Sequence, residues 1–278
     1  MANAPTKPTT PIKKEKSSVT GLFSTLTIPI AIIVAIAIFK LGLGAPSNFA
    51  DGDIEKGTPS NILGTMYRGG NLVPIIMSYL LSVIVFSIER FVVIGKASGA
   101  TSINVFVRKI QTLLNAGNID AAAAECDKQK GSVANVIKSG LKKYKEMDED
   151  HSLDTDQKVL AIQKDIEEAT TLEMPMLEQN LNIIATFVAI GTLTGLLGTV
   201  FGMINAFAAL AASGAASQTA LSASISEALV NTALGISTSA ISIIMYNVFT
   251  SKIDKLTYAI DETGFSIVQT FAASHKNK

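Results

Sequence analysis

Long apolar runs alternate with charged stretches along the 278-residue chain. Four of these runs, at 17–43, 71–95, 181–212 and 221–250, reach the ~20 residues that a helix needs to cross a bilayer. An isolated segment in lipid must satisfy all its backbone hydrogen bonds internally, so each run predicts a transmembrane helix. The pattern as a whole predicts a polytopic helical membrane protein.

The distribution of lysine and arginine predicts how these helices are oriented. Lysines precede the first run, follow the second run and follow the fourth, and these sides are expected to face the cytoplasm. Residues 44–70 carry more acids than bases, and residues 213–220 carry no charge, so both connections suit the outer side. The prediction therefore places both chain termini in the cytoplasm.

The first apolar run has a second interpretation. Lysines, an apolar stretch and then LGLGAPS also fit a secretory signal peptide. The run is longer than the apolar part of a typical signal peptide, and Lys40 follows it directly, which favours a retained helix. Cleavage would leave three spans in the same orientation.

The charged region at 96–180 has apolar residues at helical spacing and no strand pattern. From Thr155 the helical period continues into the third apolar run, with Pro175 expected to kink the helix without ending it. The fold class predicted is all-α, with very long helices that extend into the cytoplasm. The expected order is a flexible cytoplasmic N-terminus (1–16), an extra membrane helix (17–43), a periplasmic segment (44–70), a membrane helix (71–95), a cytoplasmic helical domain (96–180), a membrane helix (181–212), a periplasmic loop (213–220), a membrane helix (221–250) and a cytoplasmic helix or tail (251–278).

Composition narrows the function classes. The formal net charge is zero, so the chain lacks the basic surface typical of nucleic-acid binding. The HExxH, GxSxG and GxxxxGK[ST] motifs are absent, and the one cysteine, Cys126, cannot form an internal disulfide. The sequence indicates neither an enzyme nor a metal site, and no cofactor is expected.

Glu227 is the only charged residue between Glu178 and Lys252. An acid at membrane depth costs ~2.5–3.5 kcal/mol on insertion scales, so a simple anchor would not carry it. Other polar residues share its helix face, which indicates burial inside a bundle. They are Ser224, Asn231, Thr238 and Ser242. For these neutral side chains, plain helix–helix adhesion is the alternative interpretation.

The preceding span carries four glycines on one helix face, which predicts close approach of another helix backbone. They are Gly191, Gly195, Gly198 and Gly202. Thr192 and Thr199 accompany them and are candidates to place hydroxyls beside the acid. At the end of the second span, Glu89 and Arg90 are adjacent, and we expect an interfacial anchor with a snorkelling arginine, in which the two residues need not pair with each other.

Three motifs together resemble the MotA/TolQ/ExbB proton channel family, and most closely its ExbB/TolQ branch. The third span reads GLLGTVFGMINAF (Gly195–Phe207), and the fourth reads SISEALVNTALG (Ser224–Gly235). The stretch LLNAGNIDAAAAEC (Leu113–Cys126) is similar to the family's cytoplasmic loop. Two prolines usual in the family are replaced by Thr192 and Ile241, so these helices are expected to be straighter or differently kinked.

The resemblance implies a function and a set of residues. Glu227 matches the family's pore-lining acid, and Thr199 and Thr232 match its pore threonines. A helical-wheel projection places Thr232 on a different face of the helix from Glu227, so Thr232 is expected to face a neighbouring subunit. Gly191, Gly195, Gly198, Gly202, Asn231 and Thr238 are assigned to helix packing. Members of the branch are homopentameric rings in the bacterial inner membrane, around a dimeric, one-span ExbD-like partner whose membrane aspartate binds the transported proton.

The resemblance does not identify the client, which is the protein that such a motor would energise. A TonB-like protein serving outer-membrane transport, a TolA-like protein, and a gliding or secretion machine are all compatible with the sequence. The choice between proton and sodium ion is also open. A rival of another class is a membrane scaffold that holds a one-span partner and transports nothing, since no aspartate occurs in the four spans.

Overall fold

The computed structural model of the chain describes residues 17–54, 57–213 and 218–275, and these are almost entirely helical. The predicted cytoplasmic N-terminus at 1–16 and part of the predicted outer loop at 213–220 lie outside the described residues. The helices are α1 (Ser17–Ala37), α2 (Ile62–Tyr67), α3 (Leu72–Ser98), α4 (Ile103–Asn115), α5 (Ile119–Gln129), α6 (Gly131–Glu149), α7 (Thr155–Glu178), α8 (Leu181–Ser213) and α9 (Gln218–His275).

Four helical stretches are long and apolar enough to cross a membrane, as the sequence predicted. They begin at Thr25, Leu72, Thr155 and Leu221. The last helix, α9, has 58 residues, so at 1.5 Å per residue it is roughly 87 Å long. That length greatly exceeds the ~30 Å hydrocarbon core of a bilayer. A single continuous helix, α9, therefore joins the apolar half of the protein to its charged half.

The charged half is a helical domain built around the distal part of α9. Its core contains side chains from four helices that are fully buried: Ile110 in α4, Ile137 in α6, Ile162 in α7 and Ile267 in α9. In the apolar half, α8 and α9 form the most closely packed helix pair, and α3 packs against both. Helix α1 packs on α3 through small residues, since Ala31 and Ala35 are buried.

The predicted unbroken helix from Thr155 into the third span is wrong at one point. Helix α7 ends at Glu178, and α8 starts again at Leu181 after Asn180 adopts a left-handed φ of 65°. Asparagine tolerates this conformation better than most residues. Pro175 provides no backbone N–H, which weakens the last turns of α7. The carbonyl of Asn180 then accepts the first hydrogen bonds of α8.

The predicted snorkelling of Arg90 is also wrong, because this side chain is completely buried. Its Nη1 donates to the carbonyls of Met176 and Leu177, at 3.0 and 3.2 Å, where the end of α7 leaves them without helical partners. Its Nε donates to Glu89 at 2.6 Å, so the adjacent pair does interact. Asn180 completes the cluster, because its Nδ2 donates a hydrogen bond to Glu89 Oε2 at 3.3 Å.

The connection between α1 and α3, residues 44–71, is a folded structure in its described part. Asn48 donates to the carbonyls of Gly42 and Leu43 at 2.8 and 3.0 Å, which ties the connection to the end of the first span. Asn61, the N-cap of α2, donates to Asn48 at 2.9 Å. Short helix α2 then leads into a tight turn just before α3.

Candidate functional site

Glu227 lies near the start of α9 and is partly buried. Its carboxyl group lies against the backbone of Gly70, in the turn before α3. A Cβ at Gly70 would overlap Glu227 Oε1 and lie 3.0 Å from Glu227 Cδ. Gly70 has a φ of 75°, which favours glycine in any case. The acid is therefore in contact with a part of the chain that the sequence reasoning did not connect with it.

Asn231, one turn further along α9, joins the same turn. Its Nδ2 donates to the carbonyl of Gly69 at 2.9 Å, and the side chain is 1% exposed. Its Oδ1 has no hydrogen-bond partner in the described part of the protein. Glu227 and Asn231 share one helix face, so the Gly69–Gly70 turn covers two polar groups at once. In the sequence, the Gly69-Gly70 pair just before an apolar run was the feature that could have indicated this turn.

The rest of the polar face points into the helix bundle of the same chain. Thr238 and Ser242 are buried, and each donates to a carbonyl of its own helix, at 2.9 and 2.7 Å. Such bonds satisfy the hydroxyl protons within α9. Both residues are buried, but these hydrogen bonds lie within α9 and do not join two helices.

All four glycines of α8 face α9. A Cβ on each would meet a short contact: 2.7 Å to Ser239 Oγ from Gly191, 3.1 Å to Asn231 O from Gly195, 2.5 Å to Asn231 Cβ from Gly198 and 2.6 Å to Ala228 Cβ from Gly202. On the opposite helix, a Cβ at Gly235 would lie 2.6 Å from the carbonyl oxygen of Gly191. The two backbones therefore approach closely along the whole glycine face.

The hydroxyls of the predicted threonines donate to groups other than the Glu227 carboxylate. Thr232 was expected toward a neighbouring subunit, yet its Oγ1 donates to the carbonyl of Gly195 at 3.1 Å within the same chain. Thr199 Oγ1 donates to Leu196 in its own helix at 2.6 Å. Thr192 donates to Ser239 at 2.8 Å. The hydroxyls of these threonines thus bond within α8 or between α8 and α9, and not to Glu227.

A second polar region lies where the apolar half meets the charged half. A cavity there is lined by Glu178 and Asn182 from one side and by Tyr246, Thr250 and Asp254 from α9.

In the ranges that the structure describes, no group of three or more His, Cys, Asp or Glu side chains is placed to hold a metal ion. The chemistry available near Glu227 is therefore that of a single carboxylate with an amide neighbour.

Comparison with known proteins shows which sequences the chain is similar to. Residues 128–262 match the MotA/TolQ/ExbB proton channel family. The Tol-Pal system protein TolQ of Pseudomonas aeruginosa is 23% identical over 187 residues, covering 66% of this chain and 81% of that protein. The putative biopolymer transport protein ExbB-like 3 of Synechocystis is 34% identical over 88 residues, covering 31% of this chain and 42% of that protein. The biopolymer transport protein ExbB of Xanthomonas campestris pv. campestris is 31% identical over 102 residues, covering 37% of this chain and 40% of that protein.

The matched region contains part of the site. It includes the whole of α6, α7 and α8 and the part of α9 that carries Glu227. It contains the glycine face and the threonines, but it does not include α1, α3 or the Gly69–Gly70 turn. The acid therefore belongs to the shared family region, and the backbone that contacts it does not.

Proposed function

We propose that the chain is a member of the MotA/TolQ/ExbB proton channel family, whose model matches residues 128–262, and that it is the stator and channel subunit of an inner-membrane motor driven by the proton-motive force. The observation that carries the proposal is Glu227. It is a carboxylate in an otherwise uncharged apolar stretch of α9, it lies against the backbone of Gly70, and Asn231 one turn further on donates to the adjacent Gly69 carbonyl. A group of this kind at membrane depth is a functional residue by default.

In this proposal five copies surround a dimeric, one-span ExbD-like partner. Protons cross on the membrane aspartate of that partner, while Glu227 lines the polar path. Thr199 and Thr232 are proposed to supply further hydroxyls to the path. Each proton that falls through 100 mV releases ~2.3 kcal/mol, so several such steps would drive rotation of the partner within the ring.

Exposed apolar side chains outside the membrane support assembly with further copies. Phe265 and Tyr258 lie on α9 well beyond the apolar half, and Leu172 lies on α7. They are 64%, 69% and 81% exposed in the single chain. Lipid does not account for apolar surface in this charged domain, and exposed apolar surface of this kind is typical of a protein–protein interface.

We propose an ExbB-type client, a TonB-like protein that serves outer-membrane transport. The EAL-x-x-T-x-x-G pattern of the fourth span supports the ExbB/TolQ branch. The relatives include both TolQ and ExbB proteins, so a TolA-like client is the second candidate within this class. Localisation in the bacterial inner membrane, with both termini in the cytoplasm, forms part of the same proposal.

The test is a Glu227→Gln variant expressed with its partner in a strain that lacks the native protein. Glutamine keeps the volume and polarity of the side chain and removes the ionisable proton. The variant should assemble and co-purify with the partner but fail to support client-dependent uptake. Ser237→Ala is the matched control, because Ser237 is exposed on α9 and bonds only to its own helix. Full client activity in Glu227→Gln would contradict the proposed role of Glu227, and absence of proton flux in vesicles that hold the wild-type chain and its partner would favour the non-transporting scaffold.

A further inference from the structure

The contact between Gly70 and Glu227 links the acid to the connection between α1 and α3. Both glycines of the turn are closely confined. A Cβ at Gly69 would lie 2.5 Å from Val73 and 2.7 Å from Val230, and a Cβ at Gly70 would overlap the Glu227 carboxylate. The turn therefore fits against α9 only because it has no side chains.

The turn is also held firmly from its own side. Arg68, directly before it, donates to the carbonyl of Gly57 at 2.8 Å and lies over the ring of Phe49. Tyr67 stacks on Phe39 at the end of the first span, with ring centroids 4.7 Å apart. These contacts anchor the turn to a folded unit, so its position against Glu227 is built into the chain.

We infer that the Gly69–Gly70 turn is a positioning element for Glu227, with Asn231 as its tether. The turn occupies the space beside the carboxyl group and so limits the side-chain conformations open to it. The Asn231 amide fixes the turn to the helix that carries the acid. This inference rests on the proposed function, because it assigns residues 44–71 a role in setting where the acid stands in the proton path.

The decisive variant is Gly70→Ala, measured as proton flux into vesicles that contain the full chain and its partner. The added methyl group must displace the carboxylate, so flux should fall roughly tenfold or more, as for other displaced functional groups. Gly52→Ala is the matched control. Gly52 also has a positive φ, 71°, but its nearest neighbour for a Cβ is 3.9 Å away at Pro46. The proton flux of the Gly52→Ala variant should stay at the wild-type level.

A rescue variant separates positioning from general damage. Aspartate is one methylene shorter than glutamate, so Gly70→Ala combined with Glu227→Asp restores room beside the turn. The double variant should conduct at least as well as Glu227→Asp alone and better than Gly70→Ala. Equal flux in Gly70→Ala and Gly52→Ala, or a double variant no better than Gly70→Ala, would overturn the inference.

Asn231→Ala keeps the test valid if Gly70→Ala does not assemble. It removes the tether to Gly69 without adding volume and should also lower the flux. Thr238 lies on the same buried face but bonds only to α9, so Thr238→Ala should leave the proton flux unchanged. Equal flux in these two variants would again overturn the inference. Absence of flux in the wild-type protein would instead contradict the proposed function itself, so the two failures are distinguishable.

Discussion

Asn231 in α9 donates a hydrogen bond from Nδ2 to the carbonyl oxygen of Gly69, at 2.9 Å and 162 positions away in sequence. The bond is buried, since Asn231 is 1% exposed. It joins the backbone before α3 to the helix that carries Glu227. The acid is thus placed by two separate parts of the chain.

The glycine face between α8 and α9 should tolerate no added methyl group at its tightest point. In Gly235→Ala the new Cβ would lie 2.6 Å from the Gly191 carbonyl oxygen and 2.8 Å from the Gly195 Cα, and backbone cannot move aside as a side chain can. We expect a loss of ~1–3 kcal/mol in the free energy of unfolding, as for other overpacked sites. Denaturant unfolding in detergent measures this loss.

The control for this substitution is Gly95→Ala in α3, where a Cβ would have no neighbour within 4 Å. Alanine favours helix over glycine, so this variant should be as stable as the wild type or more stable, by up to about 1 kcal/mol. Equal destabilisation by the two substitutions would contradict the close approach of α8 and α9.

Arg90→Met should destabilise the junction of α7 and α8. It leaves Glu89 without its cation and the Met176 and Leu177 carbonyls without their donor. Removing one partner of a buried ion pair costs roughly 3–5 kcal/mol. Hydrogen exchange should rise at 179–184, next to the break. Glu89→Gln combined with Arg90→Met should recover part of the stability, and a double variant as unstable as the single one would argue against the pair.

Cys126 should be chemically inert in the folded protein. Burial, reinforced by the neighbouring Asp127, raises the pKa of its thiol to about 12. An ordinary cysteine has a pKa of ~8.5, so the thiolate fraction of Cys126 at neutral pH is lower by roughly three to four orders of magnitude. Maleimide should label Cys126 slowly, and a Ser152→Cys variant, exposed between α6 and α7, should react quickly. Equal rates would contradict the burial of Cys126.

The same thiol gives a pH dependence of stability. Because the folded-state pKa is raised, the unfolded chain loses its thiol proton first, so stability is retained below pH ~8.5 and declines as the pH rises toward the folded value. Cys126→Ala removes this contribution. The free energy of unfolding, measured between pH 7 and 10, should therefore fall more steeply in the wild type than in Cys126→Ala. Identical slopes would contradict the shift.

Phe265→Glu should weaken assembly of the ring. The side chain is 64% exposed in the single chain, and burying a phenylalanine contributes ~1.5–3 kcal/mol, which a buried glutamate would reverse. Native mass spectrometry should show fewer pentamers and more monomers. Lys142→Glu, also a charge change at an exposed site, should leave the distribution unchanged. An intact pentamer in Phe265→Glu would place the subunit contact elsewhere.

The sequence predicted the elements that depend on long periodic patterns. The four spans follow from apolar length, and the glycines of α8 indicated a close helix contact because their spacing keeps them on one face. Glu227 stood out because it is the single charge in a long apolar stretch. Each of these inferences needs only local sequence and the physics of a helix in lipid.

The features that the sequence did not predict depend on contacts between distant residues. The left-handed Asn180 ends α7 where the helical pattern continues, and Arg90 from α3 satisfies the exposed carbonyls there. The polar face of α9 is covered partly by the Gly69–Gly70 turn, which lies far away in sequence. A helical wheel gives the direction of a side chain but not the neighbour that it meets.

Proton flux in reconstituted vesicles shows whether Glu227 takes part in proton transfer across the membrane. The full chain and its one-span partner are placed in vesicles with a pH-sensitive dye inside, and a membrane potential is applied. We expect proton flux in the wild type and a fall to the level of empty vesicles in Glu227→Gln, with assembly unchanged. Wild-type flux in Glu227→Gln would contradict the role of this acid in the proton path.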